Sequence, residues 1–394
     1  MIRPALLILT VASPLATCMP PCCVAAAEPG SSEGELKEML SSICRKHNVP
    51  SLTIAVVRAD GIVTAQCSGV RKRGTDDAVE LSDRHPLGSC TKSMTATLAA
   101  VLVEAGKIEW GTTMREVWPR ATEKHLHPAL RDVTLDELLS HQSGLASDMK
   151  DFKALKNSDW LSFFEEKADP ELERRRMVKL ILPFKPEHPR GEHHYSNLGY
   201  VVAAAMLEAK GGDSFEKMMR AQVFKPLKMD TADFRTMALA KKLQSPLLWG
   251  HIANGTPIDP RIAGAENPSV YAPCGTVNLS IADYALYAQW HLKRLPRPLL
   301  SAQTTMDHLH TGRVDSPSTG GKYGCGWIVL DTPLGRALTH GGSNTNSHAL
   351  IWIFPDRDFA AVVCTNTGEK GGFPACDETI QELMKRYAQS PAKQ

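Results

Sequence analysis

The segment Gly88-Ser89-Cys90-Thr91-Lys92-Ser93-Met94-Thr95 puts a hydroxyl and an amine three residues apart at the expected start of a helix. At that spacing Ser89 and Lys92 share a helix face, so the amine can reach the hydroxyl. From Met94 to Val103 the sequence is almost wholly apolar, the pattern of a helix buried all round. A lysine carried into such surroundings is a candidate proton acceptor, and the helix N-terminus at Ser89 favours developing negative charge. The chemistry on offer is nucleophilic attack on a carbonyl. Taken alone, Ser-x-x-Lys also describes a helix cap beside a solvated lysine.

Two further segments could complete such a site. Tyr195-Ser196-Asn197 follows Pro189-Arg190-Gly191-Glu192-His193-His194 and opens another helix. A phenol and an amide there could face Ser89, with Tyr195 relaying protons and Asn197 donating to a substrate carbonyl. The plainer alternative is a packed tyrosine beside a capping asparagine. Near the end, Thr339-His340-Gly341-Gly342-Ser343 enters a strand region, where glycines mark a bulge or a close approach to the backbone.

The elements that must position these residues follow from periodicity and turn chemistry. Ser32 and Glu35 stand at capping-box spacing ahead of a helix ending near His47. Leu52 to Arg58 and Ile62 to Gly69, around Ala59-Asp60-Gly61, read as an antiparallel hairpin. Helical patterns cover Ser89 to Glu104, Thr134 to Ser140, Pro170 to Leu182, Asn197 to Ala209 and Ser280 to Leu295. Strand signals return at Trp327 to Leu330, His348 to Phe354 and Ala360 to Thr365, and a helix from Asp377 to Ala388 closes the chain. The expected fold is α+β: one antiparallel sheet built from both chain ends and flanked by helices, with a mainly helical domain inserted between them. The sheet part spans about 35–84 and 300–390, the helical part about 85–299, and a cleft between the two layers is the place for a site.

Composition narrows the function classes. The 394 residues carry 45 Lys+Arg against 43 Asp+Glu, a formal net charge of +2, which gives no electrostatic reason to bind nucleic acid. Arg3 is the only charge before Glu28, Ala5 to Ala16 is mostly apolar and Ala25-Ala26-Ala27 has cleavage-site residues, so residues 1–27 read as a signal peptide. Cleavage there leaves 394 − 27 = 367 residues, about 28–390 of them the main folded domain, with no run of membrane-spanning length. Export to the periplasm or the medium is expected; Leu15-Ala16-Thr17-Cys18 offers lipid anchoring at Cys18 as an alternative. Beyond the leader seven scattered cysteines make no disulfide framework, and an odd number leaves at least one unpaired within a single chain. His193-His194, His125-Leu-His127 and His308-Leu-His310 lack His-Glu-x-x-His spacing or a cysteine partner, so no metal is expected. Gly30 to Gly34 matches a nucleophile-elbow pattern without its strand, and Gly69 to Gly74 a phosphate loop without its lysine.

In this order the motifs resemble the penicillin-binding protein and serine β-lactamase superfamily, and most of all its class C β-lactamase, DD-peptidase and family VIII esterase branch. The likeness runs from about Glu35 to Ala388. It includes Thr134-Leu-Asp-Glu-Leu-Leu-Ser-His-Gln-Ser-Gly-Leu145, similar to the branch's loop ending in Ser-Gly-Leu, and Phe224-Lys-Pro-Leu-Lys-Met-Asp-Thr231, similar to its Pro-Leu-Gly-Met segment. Tyr271-Ala-Pro-Cys-Gly-Thr276 stands in the place of its glycine-rich loop.

The resemblance implies that Ser89 is acylated, that Lys92 and Tyr195 handle protons, and that Asn197 contacts substrate. His340-Gly341-Gly342 corresponds to the Lys-Thr-Gly strand motif, and the N–H groups of Ser89 and Ser343 to the oxyanion hole. Whether Lys92 or Tyr195 takes the serine proton stays open. One departure bears on substrate: the relatives' strand lysine is His340 here, and a mostly neutral imidazole removes the permanent cation that holds a carboxylate. The expectation is a cofactor-free serine hydrolase acting on a small ester, amide, lactam or D-amino-acid peptide. The rival reading is a non-catalytic protein of the same fold that recognises peptidoglycan peptides or a protein partner. Cys90, directly after the nucleophile, reads as a small buried residue. Oligomeric state is not specified by these motifs.

Overall fold

A computed structural model describes residues 33–151, 155–164, 169–234, 247–262, 264–293 and 298–388. The leader, Cys18 and the Ser32 cap lie outside the described residues.

Eight antiparallel strands form the main sheet: β1 (Ser51–Arg58), β2 (Gly61–Gly69), β3 (Val314–Ser316), β4 (Gly321–Tyr323), β5 (Ile328–Thr332), β6 (Gly335–Ser343), β7 (His348–Phe354) and β8 (Phe359–Thr365). Their order is β2-β1-β8-β7-β6-β5-β4-β3, so the first hairpin of the chain adds directly to its last strand, with Leu52 opposite Thr365 and Val57 opposite Ala360. Both faces of β1 are covered. Leu52, Ile54 and Val56 pack in the core beneath helices α1 (Glu33–His47) and α6 (Glu369–Tyr387), while Ala55 and Val57 join the larger core of the helical part. This is why β1 and β8 read as continuous apolar runs.

The helical part holds α2 (Thr91–Glu104), α3 (Pro170–Ile181), α4 (Asn197–Gly211) and α5 (Ile281–Leu292). Every residue of α2 from Thr91 to Ala100 is buried. A short helix, Leu135–Leu139, starts on a Thr134–Glu137 capping box, and α4 ends at Gly212 in the left-handed region with φ 86°. The last helix departs from expectation, beginning at Glu369 rather than near Asp377. Gly371, Gly372 and Pro374 read as breakers, yet Gly372 is required where the first turns cross the sheet. A side chain there would lie 2.4 Å from the Thr367 carbonyl oxygen.

One buried ionic contact ties the frame of the site together. The guanidinium of Arg174 on α3, fully buried, donates to Glu208 near the end of α4 through Nε at 3.1 Å. It also donates to Glu216 through Nη1 and Nη2, each at 2.9 Å. Removing the cation strands two buried carboxylates. Arg174→Ala is therefore expected to cost about 3–5 kcal/mol of unfolding free energy in urea titrations; a loss below about 1 kcal/mol would refute this account of the contact.

Candidate active site

Ser89 sits in a 3-10 turn, Gly88–Cys90, that leads into α2. Gly88 has φ +51°, and a side chain on it would meet the backbone nitrogen of Ser343 at 2.4 Å. From the other side a Cβ on Gly342 would lie 2.1 Å from the Leu87 carbonyl oxygen and 2.6 Å from the Ser89 nitrogen. Two glycines thus let β6 run bare against the serine turn. Cys90 Sγ, buried, donates to the carbonyl of His340 at 3.2 Å and binds the turn to the same strand. Burial pushes the Cys90 thiol up to about 12, which keeps it unreactive.

Lys92 has no exposed surface. Its Nζ lies 3.2 Å from Ser89 Oγ, 2.7 Å from Asn197 Oδ1 and 3.0 Å from the carbonyl of Cys274. Asn197 Oδ1 and the Cys274 carbonyl can only accept, so they take two amine hydrogens. The remaining position on the nitrogen faces Ser89 Oγ, which can donate or accept. Asn197 begins α4, and its Nδ2 donates to Asp148 Oδ1 at 3.1 Å. Its amide is thus turned towards Lys92 and Asp148, leaving one N–H of the expected substrate donor free.

Tyr195 Oη is 2.7 Å from Ser89 Oγ. Burial raises the phenol above its ordinary value, with the Lys92 charge opposing the rise, so it stands as a proton donor at neutral pH. Its ring lies among His141, Tyr200 and Tyr323, with the His141 ring centre 4.3 Å away and that of Tyr323 6.5 Å away. His141 is fully buried at φ 62°; its Nδ1 accepts from the Ser196 N–H at 3.0 Å. Burial, reinforced by Lys92, holds it well below the usual imidazole range.

His340 is buried on β6. Its Nδ1 is 2.6 Å from the Gly341 carbonyl, which can only accept, and its Nε2 is 3.0 Å from Tyr323 Oη. That pair of contacts fits a neutral ring with its hydrogen on Nδ1. Burial lowers its pKa to about 3, with the Lys92 charge adding to the shift. Strand β5 pairs with β6 only as far as Ile328 opposite Thr339. His340 to Ser343 therefore carry β7 on one side and an open edge on the other, against the Ser89 turn.

The chain matches the family described as Beta-lactamase over residues 33–385. It belongs to that family. It is 28% identical over 364 residues to penicillin-binding protein 4 of Amycolatopsis lactamdurans, covering 89% of each chain. It is 22% identical over 359 residues to a β-lactamase of Escherichia coli, covering 89% of this chain and 86% of that one. In fold it is similar to the octameric penicillin-binding protein homologue from Pyrococcus abyssi, with TM-score 0.71 at 20% identity over 92% of this chain and 79% of that one. The family is one of serine hydrolases of the β-lactamase and penicillin-binding type, and the sheet with its inserted helices is that fold.

Ser89, Lys92, Tyr195 and Asn197 meet within hydrogen-bond reach, and His340 to Ser343 border them. Sequence reasoning missed Asp148, the Cys274 carbonyl and Tyr323; Cys274 lies in a motif already quoted and Asp148 just beyond another, but the roles of all three are set by long-range contacts. It also gave His308 no cysteine partner. The structure puts His308 Nε2 2.8 Å from Asp136 Oδ1 and Cys325 Sγ 3.5 Å from the same oxygen. Arg313 Nε donates to Asp136 Oδ2 at 2.8 Å, so the carboxylate's charge is already met, and the group is an ion-paired bridge between Leu135–Leu139 and the start of β3. Seven cysteines among the described residues are free thiols.

The bare approach of β6 gives a direct expectation. Gly342→Ala should slow labelling of Ser89 by a fluorophosphonate at least about 100-fold, because even a small displacement of the reacting groups is that costly. Labelling at the wild-type rate would show that the contact is not required.

Proposed function

We propose that this chain is an exported hydrolase that acylates Ser89 and prefers neutral acyl substrates, esters or amides with no carboxylate beside the scissile bond. The observation that carries the reading is the cluster in which Ser89 Oγ meets both Lys92 Nζ and Tyr195 Oη. The leader expected in residues 1–27 supports export.

Lys92, with two hydrogens held by carbonyls, receives the proton of Ser89 as Oγ bonds to the substrate carbonyl carbon. The carbonyl oxygen, now an anion, lies towards the N–H groups of Ser89 and Ser343, an arrangement worth about 3–4 kcal/mol per donor in other acyl-transfer enzymes. Collapse breaks the bond to the leaving group, which takes the Tyr195 proton, and Lys92 returns a proton to the phenolate. Water then attacks the acyl-serine, gives a proton to the same pair, and Ser89 Oγ recovers its hydrogen as the acid departs. The open edge of β6 suits an extended substrate lying along the strand.

Neutral substrates are favoured because the strand residue that would pair with a carboxylate is an uncharged imidazole capped by Tyr323, and the next residue, Gly341, offers no hydroxyl. Gly341 is not forced by crowding: a Cβ there would meet its nearest neighbour at an ordinary 3.6 Å.

A fluorophosphonate should add one phosphonyl mass to the Ser89 peptide of a secreted protein beginning at Glu28, and Ser89→Ala should abolish both the label and ester hydrolysis. Unchanged hydrolysis by Ser89→Ala would reject the mechanism, and silence of wild type towards both fluorophosphonate and penicillin would favour a pure binding protein. The pH dependence follows from His340: a group lowered to about 3 is neutral above that pH and gains charge only below it. The ratio of turnover of a sulfopropionyl ester, whose sulfonate stays charged throughout, to that of a butyryl ester should thus stay within about twofold from pH 8 to pH 5. A rise centred near the ordinary imidazole value, about 6.5, would show instead that His340 charges in the working enzyme.

A further inference from the structure

We propose that Asp148 is a positioning residue for acyl transfer, acting through Asn197 to hold Lys92 in the orientation that receives the serine proton. The inference rests on the reading of Ser89 and Lys92 given above.

The argument starts from what an amide can present. Asn197 has a carbonyl end and an NH2 end, and either could in principle face Lys92. A carboxylate can only accept, so the end 3.1 Å from Asp148 Oδ1 must be Nδ2, and the end 2.7 Å from Lys92 Nζ must be the oxygen. Asp148 thereby selects the one orientation in which the amide accepts from the amine. The reverse orientation would aim N–H at N–H.

Asp148 is itself held. Tyr271 Oη donates to the same Oδ1 at 2.7 Å, and three residues later the Cys274 carbonyl takes another Lys92 hydrogen at 3.0 Å. One short segment, Tyr271 to Cys274, thus fixes both the lysine and the carboxylate that orients its asparagine. The loop after Leu145 is registered on α4 by Asn197 N–H donating to the Ser147 carbonyl at 2.9 Å. Asp148 is 1% exposed, and burial raises its pKa against the pull of the Tyr271 and Asn197 contacts. A site that needed only packing there would be filled at lower cost by an uncharged side chain.

The test is the pH dependence of kcat and kcat/KM for a neutral ester in wild type, D148A, D148N and Y271F. D148A removes the oxygen that accepts from Asn197 and should lower kcat at least about tenfold with KM within about twofold, since orientation is lost. D148N keeps an amide oxygen in the place of Oδ1 for Tyr271 and Asn197, so most of that kcat should be retained. In both variants the acid limb of kcat/KM should move to lower pH, because the proton-accepting cluster has lost a negative charge. Y271F should lower kcat by a smaller factor, and it decides the matter if D148A does not fold. Three results would overturn the proposal: kcat of D148A within about twofold of wild type, a loss of kcat in D148N as large as in D148A, or wild-type behaviour of Y271F where D148A is unfolded. Activity that survives Ser89→Ala would instead defeat the reading of the site, so the two failures are separable.

Discussion

A lysine amine with no exposed surface is the constraint around which this molecule is arranged. Left without partners in such a place it would cost several kcal/mol, so the chain must deliver acceptors to it. They come from segments 105 and 182 residues away in sequence, Asn197 at the head of α4 and the carbonyl of Cys274. Each supplier is fixed in turn, the second of them to α2. Thr95 Oγ1 donates to the Pro273 carbonyl at 2.6 Å, and the Val277 N–H donates to Thr91 Oγ1 at 3.2 Å, which clamps the Cys274 segment along the helix that bears Lys92. The Arg174 contact holds the far end of α4. The position of Ser89 relative to its amine is thus a property of the whole helical part.

The second requirement is a backbone contact rather than a side-chain one. In the proposed mechanism a donor for the developing oxyanion comes from a strand that passes close to Ser89, and side chains on both partners would prevent that approach. Gly88 and Gly342 are placed back to back for that reason, each blocked by main-chain atoms of the other segment. The strand also has to leave its neighbour. By beginning only at Ile328, β5 frees the last four residues of β6, so one strand serves as sheet interior and as site wall.

These two requirements explain which parts were readable in the sequence. Ser89 and Lys92 declare themselves because their relation is local, three residues on one helix face. The caps of α4 and of Leu135–Leu139 are likewise local, as is the apolar character of β1 and β8. Asp148 carries no such sign: it lies in a loop, and its meaning arises only when Asn197, 49 residues later, and Tyr271, 123 residues later, fold onto it. Short strands β3 and β4 escaped because three residues cannot display a period. Helix α6 was misjudged at its start because its glycines answer to the sheet beneath them and not to helix propensity.

A histidine at position 340, where the resemblance implies a strand lysine, has a consequence beyond the loss of a cation. Position 340 lies close enough to Lys92 for that charge to lower the imidazole's pKa further. A second amine there would repel the first inside a buried cluster. A neutral ring avoids the repulsion and can be satisfied within the protein, by Gly341 on one nitrogen and Tyr323 on the other. It also lets Tyr323 pack its ring against His141 and Tyr195, so that the phenol nearest Ser89 is braced by rings that carry no charge at neutral pH. In the proposed mechanism, with His141 and His340 both neutral, Lys92 faces little competing positive charge as it takes and returns a proton. On the proposed reading, the histidine that weakens the hold on a carboxylate also leaves the proton-transfer cluster quieter, so that selection of a neutral substrate and tuning of the base become two effects of one side chain.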